Sequence, residues 1–532
     1  MPEMTGGQAL IKSLVREGVE VVFGLPGVQM YEAIDPIADE PGMRFITARH
    51  EQASAYMADG YARASGKPGV CMVVPGPGLL NASAAIGSAF AASSPILVVS
   101  GQIPKDNIGK DVGVLHEVND QMIAIQQVTK AAYRMLSPGV VPSTVHEAFK
   151  QLRTGRPRPV EIEIPPDTLA EVADIELLEP GDYRRFAAPK DQVDEAARIL
   201  AGANNPVIWA GGGIISSGGS EALTRIAEHL QAPVHVTHEG KGAIDERHYL
   251  SRGALKTRTD TLRDELKSHD VILAVGTRFA SVFPNPSQRV VQIDIDPEEL
   301  GRNHSNTYKV LGDAGETLAA LETQLTSTVN ARESRKDEML EWRAARFGTG
   351  RLDPQDGFNE AMRRAIPEEG IIIAGMTQLG YYGRVYFPIY KPGTYFNSSY
   401  FGNLGFAYPT ALGVKIAKPE TPVIAISGDG GFMFNSSELA TAVQYNIGVV
   451  LIVFNDNAFG NVMRDQKDRY GTDRVVGSQL HNPDFVKLAE AYGARGVRAH
   501  TADELEHAIR EAIAIDSPTL IEVPVGPMPS PF

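Results

Sequence analysis

Gly428-Asp429-Gly430 follows an apolar run, and after a gap of 24 residues a second apolar run ends in Asn455-Asp456-Asn457. Ligands of an open parallel sheet bind beyond the carboxyl ends of its strands, where both clusters would sit. The flanking glycines let the backbone approach a ligand closely and expose amide N–H groups. The next helix is expected to start near Asn435, with Asn435-x-x-Glu438 as its cap, and a helix N-terminus suits phosphate. Two side-chain oxygens and a backbone carbonyl are hard ligands. With diphosphate oxygens and water they complete an octahedron around magnesium. Asp, Asn and Gly are also the ordinary residues of surface turns. The second oxygen-rich cluster, one strand later, favours a diphosphate held through a divalent metal.

The elements that must position these residues alternate between strand and helix three times over. In the first third, "VEVVFGLPG", "RFITARHE", "GVCMVVPGPG", "PILVVSGQ" and "PVEIEIPP" are β-rich runs, separated by helical stretches such as Gln52–Ala64 and Leu79–Ala92. The middle third offers "PVIWAGGG", "APVHVTH", "VILAVGTRF" and "RVVQIDIDP". The last offers "GIIIAG", "PVIAISGDGG", "VVLIVFND" and "PTLIEVPV", and its final helix opens with a capping box, Thr501-x-x-Glu504. Near-continuous apolar strands with helices between them mean parallel sheets covered on both faces. The expectation is an α/β protein of three doubly wound parallel-sheet domains, over 1–178, 193–325 and 354–532. A proline-bearing linker around 179–192 and a polar helical connector, "NARESRKDEMLEWRAARFG", join them.

Composition narrows the function classes. The 532 residues are 43% hydrophobic and 22% charged, with a net charge of −15, which argues against nucleic acid or an anionic membrane as partner. A single cysteine, Cys71, rules out an internal disulfide framework and fits a reducing cytoplasm. The N-terminal stretch lacks the basic start and apolar block of a signal peptide, and no run of 18 apolar residues occurs. No His-Glu-x-x-His, P-loop or Gly-x-Ser-x-Gly motif is found.

The spacing from Gly428-Asp429-Gly430 to Asn455-Asp456 resembles the thiamine-diphosphate signature of the acetolactate synthase and 2-oxo acid decarboxylase superfamily, with Asn-Asp where that signature usually has Asn-Asn. The resemblance runs through "VVFGLPG" at Val21–Gly27, "RHEQASAYMADGYARASGKPGV" at Arg49–Val70, "PGPGLLNASAAIGSAFAASSPILVVSGQIP" and "NLGFAYPTALG" at Asn403–Gly413. It implies a pyrimidine-binding, a middle and a diphosphate-binding domain, and Asp429, Asp456 and the carbonyl of Ala458 as magnesium ligands. The cofactor-binding set it implies is Gly27, Thr377, Gln378, Gly402, Leu404, Gly428, Gly430, Gly431, Phe432, Asn457, Phe459 and Gly460. Glu51 becomes the activating acid, hydrogen-bonded to the cofactor pyrimidine, and Leu404 the apolar wedge that bends the cofactor into its reactive form.

Substrate residues depart from the family pattern. His116-Glu117 stands where the synthases carry Gln-Glu; a histidine there suits proton transfer or carboxylate binding, or a structural role. Met376-Thr377 replaces a Gln-His pair, with Gln378 next and Tyr381 and Tyr382 as further pocket candidates. Pro75 occupies a turn where some decarboxylases have a catalytic histidine. "WAGGGIISSGG" at Trp209–Gly219 has Ser216 where Gly-x-Gly-x-x-Gly needs its last glycine, so it reads as a tight structural turn. Ala280-Ser281 replaces the acidic run of flavin-binding members, which argues against FAD. The resemblance further implies a homodimer or homotetramer with active sites shared between subunits, acting on a small 2-oxo acid or aldehyde. Three readings follow: a decarboxylating carboligase, a simple 2-oxo acid decarboxylase, and a nucleotide-binding regulatory protein on an inactive thiamine fold.

Overall fold

A computed structural model describes residues 2–254, 265–280, 282, 284–348 and 351–530; Ser281 of the flavin argument lies outside the described residues. Three sheets of six parallel strands make up the α/β architecture. The first lies in the spatial order Arg44–Thr47, Val21–Gly24, Gly69–Val73, Ile96–Gly101, Val160–Ile164, Ala131–Arg134. The third lies in the order Tyr395–Asn397, Ile371–Ala374, Val423–Gly428, Val449–Asn455, Thr519–Pro524, Arg495–Arg498. Numbered along the chain, both read 2-1-3-4-6-5, so the outer sheets share one topology. The middle sheet reads 3-2-1-4-5-6, the order of dinucleotide-binding folds. Its strands are Val207–Ala210, Val234–Val236, Ser251–Ala254, Val271–Val275, Arg289–Asp294 and Thr307–Leu311.

The central strands form because their residues are apolar without interruption. All seven residues of Val449–Asn455 are buried, as both faces of a parallel sheet demand. One apolar cluster is continuous from Phe23 and Met57 in the first domain to Leu412 and Leu451 in the third. Two helices carry that junction, Glu51–Ser65 and Ala407–Ala417. They approach so closely that a Cβ at Gly60 would lie 2.1 Å from the Thr410 carbonyl oxygen, and one at Gly413 would lie 1.9 Å from that of Met57. Glycine at both positions lets backbone meet backbone.

Two local expectations need correction. The helix after Gly428-Asp429-Gly430 begins at once, as the turn Asp429–Phe432, and resumes as Glu438–Gln444 without a side-chain cap. Asn435 instead donates to the Gly405 carbonyl at 2.9 Å, because the chain there packs on the Leu404 loop. Thr501 does cap its helix through the Glu504 N–H, but the Glu504 carboxylate turns back to the His500 N–H at 2.7 Å rather than to Thr501. Gly211–Gly213 is a close-packed turn: Cβ atoms at Gly211 and Gly213 would come within 2.2 and 2.5 Å of Gly276. Among the described residues no helix is long and apolar enough to cross a membrane.

Candidate functional site

Strands Ile371–Ala374 and Val423–Gly428 are neighbours although a strand intervenes between them in the chain. The loops beyond them leave in opposite directions and open a crevice. A cavity of about 130 Å³ lies there, lined among others by Met376, Thr377, Gln378, Leu404, Asp429 and Asp456. The next strand, Val449–Asn455, delivers Asp456 beside Asp429.

The two carboxyl groups are crowded. Burial first, and then the neighbouring Asp429, push Asp456 up to about 6. Burial also raises Asp429, partly offset by the Asn482 amide and by the backbone N–H groups of Gly430 and Ala458. Paired acids in a half-buried cleft lack a counter-charge, and a hard dication supplies it. Among the described residues no three His, Cys, Asp or Glu side chains cluster as metal ligands. A cation here would therefore complete its shell with backbone and ligand oxygens, and the donor set present fits magnesium and a diphosphate. The backbone is equally tight: a Cβ at Gly430 would lie 2.5 Å from the Phe459 ring, and one at Gly460 would lie 2.1 Å from the Asp456 carboxylate. Asn457 adopts a left-handed φ of 53°, which turns the chain after Asp456.

Asn482 is a functional candidate that the sequence does not reveal. Its Nδ2 donates to Asp429 at 2.6 Å and lies 3.1 Å from Asn455 Oδ1 and 3.3 Å from Asn457 Oδ1. Its only local signal is the turn pair Asn482-Pro483, far along the chain from Asp429. Leu404 leans over the same cavity, with Cδ2 3.8 Å from the place a Cβ would take at Gly431. Its loop turns through a left-handed Gly402, at φ 65°, and is tied to the first domain by the 2.7 Å bond from Asn403 to the Tyr56 hydroxyl. Thr377 stands at the N-cap of helix Gln378–Tyr386, and the buried Gln378 Oε1 has no hydrogen-bond partner. Gly428, Gly431, Ala458 and Phe459 line the cavity as well; Phe432 is buried beneath it. Tyr381 is part of the wall, whereas Tyr382 is buried and donates its hydroxyl to Asp356.

Gly27, Glu51 and His116 do not reach this cavity, whose lining comes wholly from the third domain. They gather at the equivalent end of the first sheet. Glu51 opens helix Glu51–Ser65 and accepts a 3.0 Å bond from Asn81. His116 holds a left-handed backbone at φ 68° and bonds Gln29 at 2.9 Å, while Glu117 staples its own loop through the N–H groups of Gly113 and Val114. Gly27 packs against Val74, next to Pro75-Gly76, whose Gly76 N–H is held by Gln121. The candidate residues of one chain thus fall into two separate clusters.

Comparison with known proteins bears on both halves. Three domains of thiamine pyrophosphate enzymes match: the N-terminal TPP binding domain over 4–124, the central domain over 193–321 and the C-terminal TPP binding domain over 375–523. A probable acetolactate synthase large subunit of Methanocaldococcus jannaschii is 35% identical, with 98% of this chain and 92% of the relative covered. A probable 2-ketoarginine decarboxylase of Pseudomonas aeruginosa is 34% identical, covering 98% and 94%. The acetolactate synthase isozyme 3 large subunit of Escherichia coli is 32% identical, covering 96% and 93%.

Proposed function

The chain belongs to the thiamine pyrophosphate enzyme family, and on that premise we propose that it decarboxylates a 2-oxo acid and joins the remaining acyl unit to an aldehyde or a second oxo acid. Thiamine diphosphate would be held through magnesium by Asp429, Asp456 and the Ala458 carbonyl. The observation that carries the reading is the facing Asp429–Asp456 pair at the switch point of the third sheet.

Bound thiamine diphosphate supplies a carbon nucleophile and an electron sink for the departing carboxylate. The protein's own residues have four tasks. Asp429 and Asp456 would hold the cation that binds the anionic tail. Thr377, Gln378 and the Gly430-Gly431 backbone orient it. Leu404 presses an apolar side chain into the cleft, which sets geometry and excludes water. Glu51 holds a proton for a ring nitrogen, with Asn81 keeping its carboxylate in place.

Because Glu51 is absent from the cavity of its own chain, the reading requires a second copy to complete each site. Exposed apolar side chains around both half-sites support this: Val28, Leu80 and Leu115 near the first, Met433, Phe434 and Val462 near the second. FAD is left out of the reading because Ala280-Ser281 stands where flavin-binding members carry an acidic run. The similarity to a 2-ketoarginine decarboxylase favours a second reading, decarboxylation to a free aldehyde.

A screen of 2-oxo acids with thiamine diphosphate and magnesium tests both, following carbon dioxide and carbon–carbon products. A ligation product is expected. Aldehyde alone would select the second reading, and no carbon dioxide from any 2-oxo acid would refute both.

A further inference from the structure

A second cavity, of about 460 Å³, lies between the middle and third domains. It shares no lining residue with the Asp429 cavity or with the Gly211–Gly213 turn. Helix Gln355–Ala365 contributes Asn359 and Arg363, helix Lys336–Phe347 contributes Arg343 and Phe347, and Tyr386 ends helix Gln378–Tyr386. Its volume falls within the range of small-molecule sites, roughly 300–1,000 Å³.

Asn359 is the telling residue. It is 3% exposed, and neither Oδ1 nor Nδ2 has a hydrogen-bond partner. A buried amide left unpaired is costly, and its neighbouring donor and acceptor match the edge of a nucleobase or similar ring.

The wall around it carries four arginines, Arg343, Arg351, Arg363 and Arg364, against three carboxylates, Glu246, Asp356 and Glu360. Among the described residues Arg343 donates to carbonyls, those of Ser251 at 2.6 Å, Glu246 at 2.7 Å and His248 at 3.2 Å. Arg363 likewise donates to Ile366, Pro367 and Pro388 carbonyls. Arg351 and Arg364, on the same wall, have carboxylate partners in Asp356 and Glu506. Carbonyls orient a guanidinium without cancelling its charge; the carboxylates that act on Arg343 (Glu246 and Asp245) and on Arg363 (Glu368) do so without a direct ion pair among the described residues, so both guanidiniums can still take an anion. Phe347, and Tyr386 stacked on Tyr382 at 4.6 Å, add flat apolar surface.

We propose that this cavity is a second ligand site, which takes an anionic molecule with a planar hydrogen-bonding ring, of mononucleotide size. The test is calorimetric titration of the whole protein, preloaded with thiamine diphosphate and magnesium so that phosphates find the first cavity filled. The probes are AMP, GMP, adenosine and inorganic phosphate. One of the nucleotides is expected to saturate one site per chain, with adenosine and phosphate each bound at least about tenfold more weakly. Asn359→Leu is expected to cut nucleotide affinity at least about tenfold while the melting temperature of the ligand-free protein holds or rises, because an unpaired buried amide has been removed. Asn359→Asp, which keeps the shape but opposes an anion, is expected to weaken binding as well. The proposal is overturned if neither nucleotide saturates by millimolar concentration, if phosphate alone binds as tightly, or if both variants bind like wild type.

Discussion

The first and third domains fold on the same strand order, yet the loops at their carboxyl ends do different work. In the first, every site side chain has a partner within its own domain: Glu51 has Asn81, His116 has Gln29, and Glu117 has backbone N–H groups. In the third, Asp429 and Asp456 face each other, offset by the Asn482 amide and the backbone N–H groups of Asp429, Gly430, Asp456 and Ala458. In the proposed reading the first is a preformed proton-holding arm and the other a charged cleft for a cation. Topology fixes where loops converge, and the residues on those loops fix the chemistry.

The comparison breaks most decisively at Glu51. Glu51→Gln is expected to lower turnover by about 10²–10⁴ while cofactor retention and melting temperature stay at wild-type values; unchanged turnover would remove the first domain from the reaction. Asp429→Ala should do the opposite, losing cofactor on gel filtration at ordinary magnesium levels. Mixing and refolding these two inactive variants sharpens the contrast, since a hybrid dimer keeps one intact site. About a quarter of wild-type activity should return at best, and none would return if each chain built its own site.

Asn482→Ala is a smaller perturbation, because it removes one hydrogen bond to a charged group. Magnesium affinity, read from the cofactor activation curve, should fall by roughly tenfold to a hundredfold.

The smallest effect concerns the seam between the two domains. Glu438, on the third domain, accepts from the Arg49 N–H just before Glu51, and burial pushes its carboxyl from 4.5 to about 7. The folded chain therefore binds this proton more tightly than the unfolded chain does. Its contribution to stability falls as pH rises from about 4.5 to 7. Melting temperatures measured across that window should decline less in Glu438→Gln than in wild type.

The strands that the sequence conceals are informative. Ala131–Arg134, Ser251–Ala254, Thr307–Leu311, Tyr395–Asn397 and Arg495–Arg498 escape a search for apolar runs, and all five lie at sheet edges. An edge strand has one neighbour and often one solvated face, so the partly exposed "RGVR" suffices where an interior strand needs "VVLIVFN". Asn435 reads as a cap but serves the Leu404 loop, since a cap motif is local and the packing partner is distant.

By itself the sequence determined the family and that strands alternate with helices, because apolar runs, glycines and acids act within a few residues of one another. Only the tertiary structure decided that the outer sheets share an order, that Asn482 lands on Asp429, and that Glu51 does not line the Asp429 cavity of its own chain. Those outcomes depend on contacts between segments tens to hundreds of residues apart, set by which strands pair and which faces bury one another. No local spacing records that choice.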